Sequence, residues 1–295
     1  MPAVQSNTRI ELHNVLVSTD FSDASKASLP YAAALAQQFG AKIFLAHAIH
    51  PEPLLSVPVD PMPIDDDPSW QKAQWNLLKF ARGGVLDDTP YETLLQQGDF
   101  WTVISALIRE HKIDLVVAGS RGRKGLSRLA LGSNAEKIYR RATCPVLTVG
   151  PNVRPLEGGE WKPKRILFPI DGSETSLKAL PYALSFAEEN EATLILLQLE
   201  PLFFPEHREA EEARGRDALR PLVPPDAEAW CKPEFVVRFE FPAEGILRLA
   251  AEREVDLIVM GVRKSSEAGM PDHLPWPVAS RVVAEAQCPV LTVRG

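Results

Sequence analysis

Three blocks of this chain occur twice in the same order, and that duplication limits the fold more than any other feature. SLPYAAALA at 28–36 is matched by ALPYALSFA at 179–187, and ALIREHKIDLVVAG at 106–119 by RLAAEREVDLIVMG at 248–261. ATCPVLTV at 142–149 then returns as AQCPVLTV at 286–293. Repeated blocks in fixed order mean a repeated structural unit. Whatever the first half folds into, the second half must fold into as well. A length of 295 residues with 45% apolar and 24% charged content supplies material for two cores. Between the copies lies VRPLEGGEWKP, whose Pro and Gly content reads as a linker over 153–163. The expected domains are therefore 1–152 and 164–295.

Within the first copy, strand-length apolar runs alternate with helical patterns. Strands are expected over 14–18, 41–47, 91–95 and 114–118, with helices from the Ser22 cap to Gly40 and over 70–85, 100–111 and 134–141. Tyr31, Leu35 and Phe39 share one face of the first helix at a spacing of four. Pro30 lies well inside that helix and should kink it; its repetition as Pro181 makes it structural. The run 41–47 is apolar throughout, the pattern of a parallel strand covered on both faces. Parallel strands need helical crossovers, so each copy is expected to be a doubly wound α/β domain. Ligands of such sheets bind beyond the carboxyl ends of the strands, where Asp20 and Gly119 both fall.

The stretch IDLVVAGSRGRKGLSRLALGS at 113–133 carries the chemistry. An apolar strand breaks into a glycine-rich loop and ends at a helix, in the order that a phosphate cradle requires. Glycines at 119 and 122 let the main chain approach a ligand, and Gly132-Ser133 would aim helix N-terminal amides and a hydroxyl at the same anion. From Gly119 to Ala135 there is no acid, while Arg121, Arg123, Lys124 and Arg128 supply four cations in a chain of net charge -7. That local reversal of sign suits an anionic ligand.

At these residues the sequence resembles the universal stress protein family, whose nucleotide-binding members carry G-x2-G-x9-G-(S/T) after the fourth strand. Gly119, Gly122, Gly132 and Ser133 match every fixed position, and the tail GSNAEKIYRRATCPVLTVG is similar as well. The resemblance implies a mostly parallel five-stranded sheet of the adenine-nucleotide alpha-hydrolase-like kind in each copy. It also implies ATP, with Mg2+, held through its phosphates by this loop. Asp20 matches the aspartate that ends the family's first strand beside the nucleotide, where it could bond ribose or seat Mg2+ through water; its alternative role is to cap the next helix. Ala48 would border adenine, and Ser120 would add a hydroxyl near the phosphates. In the family the last strands mediate dimerisation. This chain thus resembles a dimer fused into one polypeptide, its two domains paired through the CPVLTV strands, with a homodimer as a further assembly open to it.

The second copy keeps Asp171 but loses the cradle. After Gly261, Lys264 stands where the motif has glycine, and Trp276-Pro277 stands where Gly132-Ser133 stood. Proline contributes neither amide nor hydroxyl. ATP in the family manner is not expected there.

Other classes fall away. Cys144, Cys231 and Cys288 form an odd set without a CxxC spacing, and Cys144 and Cys288 occupy matching places, which reads as duplicated packing. The histidines show no metal spacing on one strand face, and neither a G-x-S-x-G elbow nor a GxxxxGK(S/T) loop occurs. An acidic balance argues against nucleic acid as the partner, and strand-sized apolar runs without a signal-like N-terminus argue against a membrane, which makes the cytoplasm the expected location. No general base is visible for fast ATP hydrolysis. The expected function is ATP binding by the first domain in stress response or signalling. The alternatives are a nucleotide-independent scaffold and a slow ATPase or phosphotransferase.

Overall fold

The computed structural model describes residues 9–50, 67–120, 132–156, 160–200, 208–262 and 278–295. Two compact units emerge: Leu12–Ile138 with Pro155–Trp161, and Tyr139–Arg154 with Lys162–Gly295 and the segment ending at Glu11.

In the first unit β1 (Asn14–Ser18), α1 (Asp23–Phe39), β2 (Lys42–Ile49), α2 (Pro68–Ala81), β3 (Tyr91–Gln97), α3 (Phe100–Glu110) and β4 (Leu115–Gly119) follow one another. The strands lie in the order β3-β2-β1-β4 and all pairs are parallel. α4 (Ser133–Arg141) and β5 (Val146–Val149) complete the first copy. The second copy repeats the pattern: β6 (Arg165–Ile170), α5 (Glu174–Asn190), β7 (Thr193–Glu200), α6 (Arg208–Leu219), β8 (Lys232–Phe239), α7 (Pro242–Glu252), β9 (Leu257–Val262), α8 (Val278–Glu285) and β10 (Val290–Arg294). Its unit holds the order β5-β10-β9-β6-β7-β8. Each copy thus contributes five strands to a mostly parallel α/β fold.

Local chemistry accounts for the element ends. Ser22 and Ser173 cap α1 and α5 by accepting the amides of Ser25 and Ser176 at 3.3 and 3.2 Å. α1 and α5 run on through Pro30 and Pro181. β2 extends past the expected end at 47 and takes Ala48 and Ile49 into the ladder, opposite Gln96 and Gln97. α2 stops at Ala81 rather than 85 because Gly83-Gly84 follow, with Gly84 at a φ of 88°.

The aspartate in each DLVVAG-like block has a structural task that explains its repetition. One oxygen of Asp114 accepts the amides of His13 and Asn14 at 2.8 and 2.9 Å, and one of Asp256 accepts those of Lys164 and Arg165 at the same two distances. A carboxylate at the foot of β4 or β9 thereby pins the start of the first strand of its copy.

The last strands of the two copies pair antiparallel, with Val290 opposite Thr148, Leu291 opposite Leu147 and Thr292 opposite Val146. Thr292 adds a hydrogen bond from its hydroxyl to the Val146 carbonyl at 3.2 Å. An apolar edge that would otherwise be an unpaired ladder is covered by this partner. The buried Tyr139 hydroxyl bonds the Ser280 hydroxyl, so α4 and α8 also meet. Residues 139–154 group with the second copy for this reason. Among the described residues no helix is long and apolar enough to cross a membrane.

Cys231 and Cys288 are buried. Burial pushes the Cys288 thiol up to about 12 and the Cys231 thiol up to about 11. A raised value keeps the thiol neutral at pH 8, where thiolate is on the order of one part in a thousand or less. At most one thiol per native chain should therefore react rapidly with a disulfide reagent at pH 8, and three after denaturation. Replacing Asp114 or Asp256 by Ala should cost about 1–2 kcal/mol in a urea titration, because two strand amides lose a charged acceptor.

Candidate functional site

The carboxyl ends of β1, β2 and β4 and the start of α4 converge in the first unit. The turn after β1 is held by its own side chains. Asp20 accepts the Ser22 amide at 3.0 Å, while Ser22 rather than Asp20 caps α1. The buried Thr19 hydroxyl accepts the Phe21 amide at 3.0 Å and bonds the Ser25 hydroxyl at 3.0 Å. His47 Nδ1 lies 2.7 Å from the Thr19 carbonyl, which can only accept, so Nδ1 carries a proton.

Phe21 occupies the left-handed region at a φ of 64°, and Gly172 stands at the matching place of the second copy with a φ of 73°. A side chain in that conformation costs about 1–2 kcal/mol. Its ring packs 4.4 Å from the His47 ring and 6.1 Å from Phe80, contacts that offset the strain.

Gly119 has a packing reason to be glycine. A Cβ there would fall 2.3 Å from the Ala24 carbonyl oxygen on α1, and one on Gly261 would fall 2.5 Å from the Thr175 carbonyl oxygen on α5. The first glycine of the motif therefore serves close helix-to-strand packing in both copies, with or without a ligand.

At the start of α4 the Gly132 carbonyl accepts the Glu136 amide at 3.0 Å, which makes Gly132 the cap residue, and its own amide donates to the Ser120 carbonyl. The amides of Ser133, Asn134 and Ala135 then form the first turn, which a helix leaves without intrahelical acceptors and at the positive end of its dipole.

These residues enclose a cavity of about 100 Å³. Of the sequence-expected residues, Asp20, Ala48, Gly119, Gly132 and Ser133 line it. Ser120 is buried at 2% exposure and joins the site through its carbonyl bond to Gly132. Gly122, the loop cations Arg121, Arg123, Lys124 and Arg128, and the second-copy residues Lys264, Trp276 and Pro277 lie outside the described residues. Ser18, Thr19, Ser25, His47, Phe100 and Asn134 also line the cavity and were missed from sequence. The signal was available for three of them, since Ser18, Thr19 and His47 sit at or just past the carboxyl ends of strands, where such sheets place ligands. The arrangement can hold an anion by backbone amides beside a carboxylate and an imidazole. Among the described residues no group of three His, Cys, Asp or Glu side chains could hold a metal.

Two segments, 11–150 and 162–294, match the model of the universal stress protein family. A universal stress protein of Mycolicibacterium smegmatis is 27% identical over 301 residues, covering 99% of each chain. One from Thermus aquaticus is 33% identical over 142 residues, which is 46% of this chain and 96% of that protein. Among solved structures, a universal stress protein from Archaeoglobus fulgidus superposes with a TM-score of 0.72 at 18% identity, covering 97% of this chain and 99% of the other. At that identity the likeness speaks for the fold.

Gly119→Ala and Gly261→Ala should each lower stability, by about 1–3 kcal/mol in urea denaturation, since both force a methyl into a neighbouring carbonyl. A stable Gly119→Ala variant would remove the packing explanation.

Proposed function

Since the chain belongs to the universal stress protein family, with the family's domain present twice, we propose that its first copy binds ATP and that the protein acts in stress response through its nucleotide state. In this reading the domains are 1–152 and 164–295, joined by 153–163, and the protein works in the cytoplasm.

The observation that carries the reading is the convergence of the Asp20 turn, Ala48, Gly119 and the Gly132-Ser133 start of α4 on one cavity. Helix N-terminal amides favour phosphate oxygens by hydrogen bonding and by dipole. Ser133 adds a hydroxyl, Asp20 would reach ribose or a water of Mg2+, and Gly122 with the loop cations would complete the cradle. A cavity of about 100 Å³ suits the phosphates rather than a whole nucleotide, so adenine and ribose would extend beyond the described walls, past Ala48.

Hydrolysis is slow at most in this proposal. Fast phosphoryl transfer needs a group that orients water and cations that meet the developing charge. The described lining offers Asp20, which holds its turn, and His47, whose Nδ1 proton is engaged by the Thr19 carbonyl.

A second reading, a scaffold indifferent to nucleotide, has one observation in its favour. The aspartate turn and the packed glycine occur in both copies and perform structural tasks in each.

Denaturing the purified protein and measuring released nucleotide by mass spectrometry, with titration of stripped protein by ATP and Mg2+, separates the two. One ATP per chain is expected, and Ser133→Ala should weaken ATP about tenfold by removing one hydrogen bond to a charged oxygen. Neither bound nucleotide nor binding on titration would leave the scaffold as the better account.

A further inference from the structure

The second copy also has a cavity at the carboxyl ends of its strands, and its lining is more apolar than that of the first. It measures about 420 Å³ against about 100 Å³ in the first copy. The three repeated blocks set the two linings side by side. Ser18 becomes Pro169, Thr19 becomes Ile170, Ala48 becomes Leu199, Ala118 becomes Met260 and Asn134 becomes Val278, with each member of each pair lining its own cavity. Pro242 replaces Phe100 and withdraws an aromatic ring from the wall.

A site that had merely lost its ligand would be expected to drift or to fill. Here three polar positions, Ser18, Thr19 and Asn134, are replaced by apolar ones, Asp171 and Ser176 are kept from Asp20 and Ser25, and the space is about four times as large by the two volumes above. The size falls within the roughly 300–1,000 Å³ of small-molecule sites, where apolar walls carry a few convergent polar groups. Those groups are present at one end: Asp171, Ser173, Thr175 and Ser176. Asp171 is the only ionisable side chain among the described lining residues. Its Oδ1 accepts the Ser173 amide at 3.0 Å and the Ser173 hydroxyl at 2.6 Å, the geometry of a carboxylate. Among the described lining residues no cationic side chain is present to pair an anion, and walls of Ile170, Leu199, Met260 and Val278 offer water few of the two to four polar partners it needs.

We infer that the second copy is a binding site for an uncharged, predominantly apolar small molecule, whose polar end lies at the Asp171 turn. The inference concerns the second copy alone and does not depend on ATP in the first.

The neutral fluorophore N-phenyl-1-naphthylamine, titrated into the full chain, tests it. Saturable enhancement at one probe per chain is expected, unchanged by excess ATP and Mg2+. Leu199 and Val262 are half-buried at the ends of β7 and β9, so they can be altered with little strain on the core. Leu199→Asp, which charges the wall, and Val262→Trp, which narrows the space, should each weaken the probe about tenfold or more. Urea denaturation midpoints near that of the native chain identify the variants that fold. Three results overturn the inference: no saturable binding, displacement of the probe by ATP, or native affinity in either folded variant. Because Ser133→Ala should weaken ATP and leave the probe unaffected, failure here and failure of the nucleotide reading are distinguishable.

Discussion

The carbonyl of Ala24 and the backbone of Gly119 approach so closely that no side-chain carbon fits between them, and the same holds for Thr175 and Gly261. This contact fixes how near α1 lies to the end of β4. The Asp20 turn enters α1 and the glycine loop leaves β4, so the distance between the two halves of the candidate site follows from one steric constraint. Around it, Thr19, Ser22 and Ser25 satisfy one another and the turn amides, which holds the turn rigid in a place where backbone polar groups are buried. The strain at Phe21 is tolerated because its ring has His47 and Phe80 to pack on, a demand that glycine at 172 never makes.

Duplication supplies an internal control. What both copies keep is what the fold needs: the capping serines, the strand-pinning aspartates, the Asp20 and Asp171 turns and the packed glycines. What differs is the lining of the two cavities. The first copy keeps Gly132-Ser133 at a helix start, with Thr19 and His47 beside them; the second presents Ile170, Leu199, Met260 and Val278 instead. The same backbone geometry thus frames a cavity lined by Ser18, Thr19, His47 and Asn134 in one copy and by Pro169, Ile170, Leu199 and Val278 in the other. The two cavities differ in the side chains at strand ends, while the strands themselves are held constant by packing.

Much of this was legible in the order of residues. Alternating apolar runs and helical faces gave the α/β class, the repeated blocks gave two copies, and glycine spacing pointed to Gly132-Ser133 at a helix start. The family resemblance brings Ala48 to the site although apolar periodicity ends the strand at 47; periodicity marks where a strand begins better than where pairing to a neighbour lets it stop. The ladder to Gln96 and Gln97 decided that end.

Sequence by itself determined the duplicated architecture and the residue types at the strand ends, because hydrophobic period and glycine placement are local properties of the chain. Only the tertiary structure decided which duties those residues hold. Gly119 proved to be a packing glycine, Asp20 a turn former beside a serine cap, and Asp114 a pin for β1, since each depends on atoms brought together from distant segments. The antiparallel register of β5 on β10, a pairing that the family resemblance already implied, and the cavity of about 420 Å³ in the second copy are of the same kind. Both arise from register and volume, which no single stretch of sequence contains.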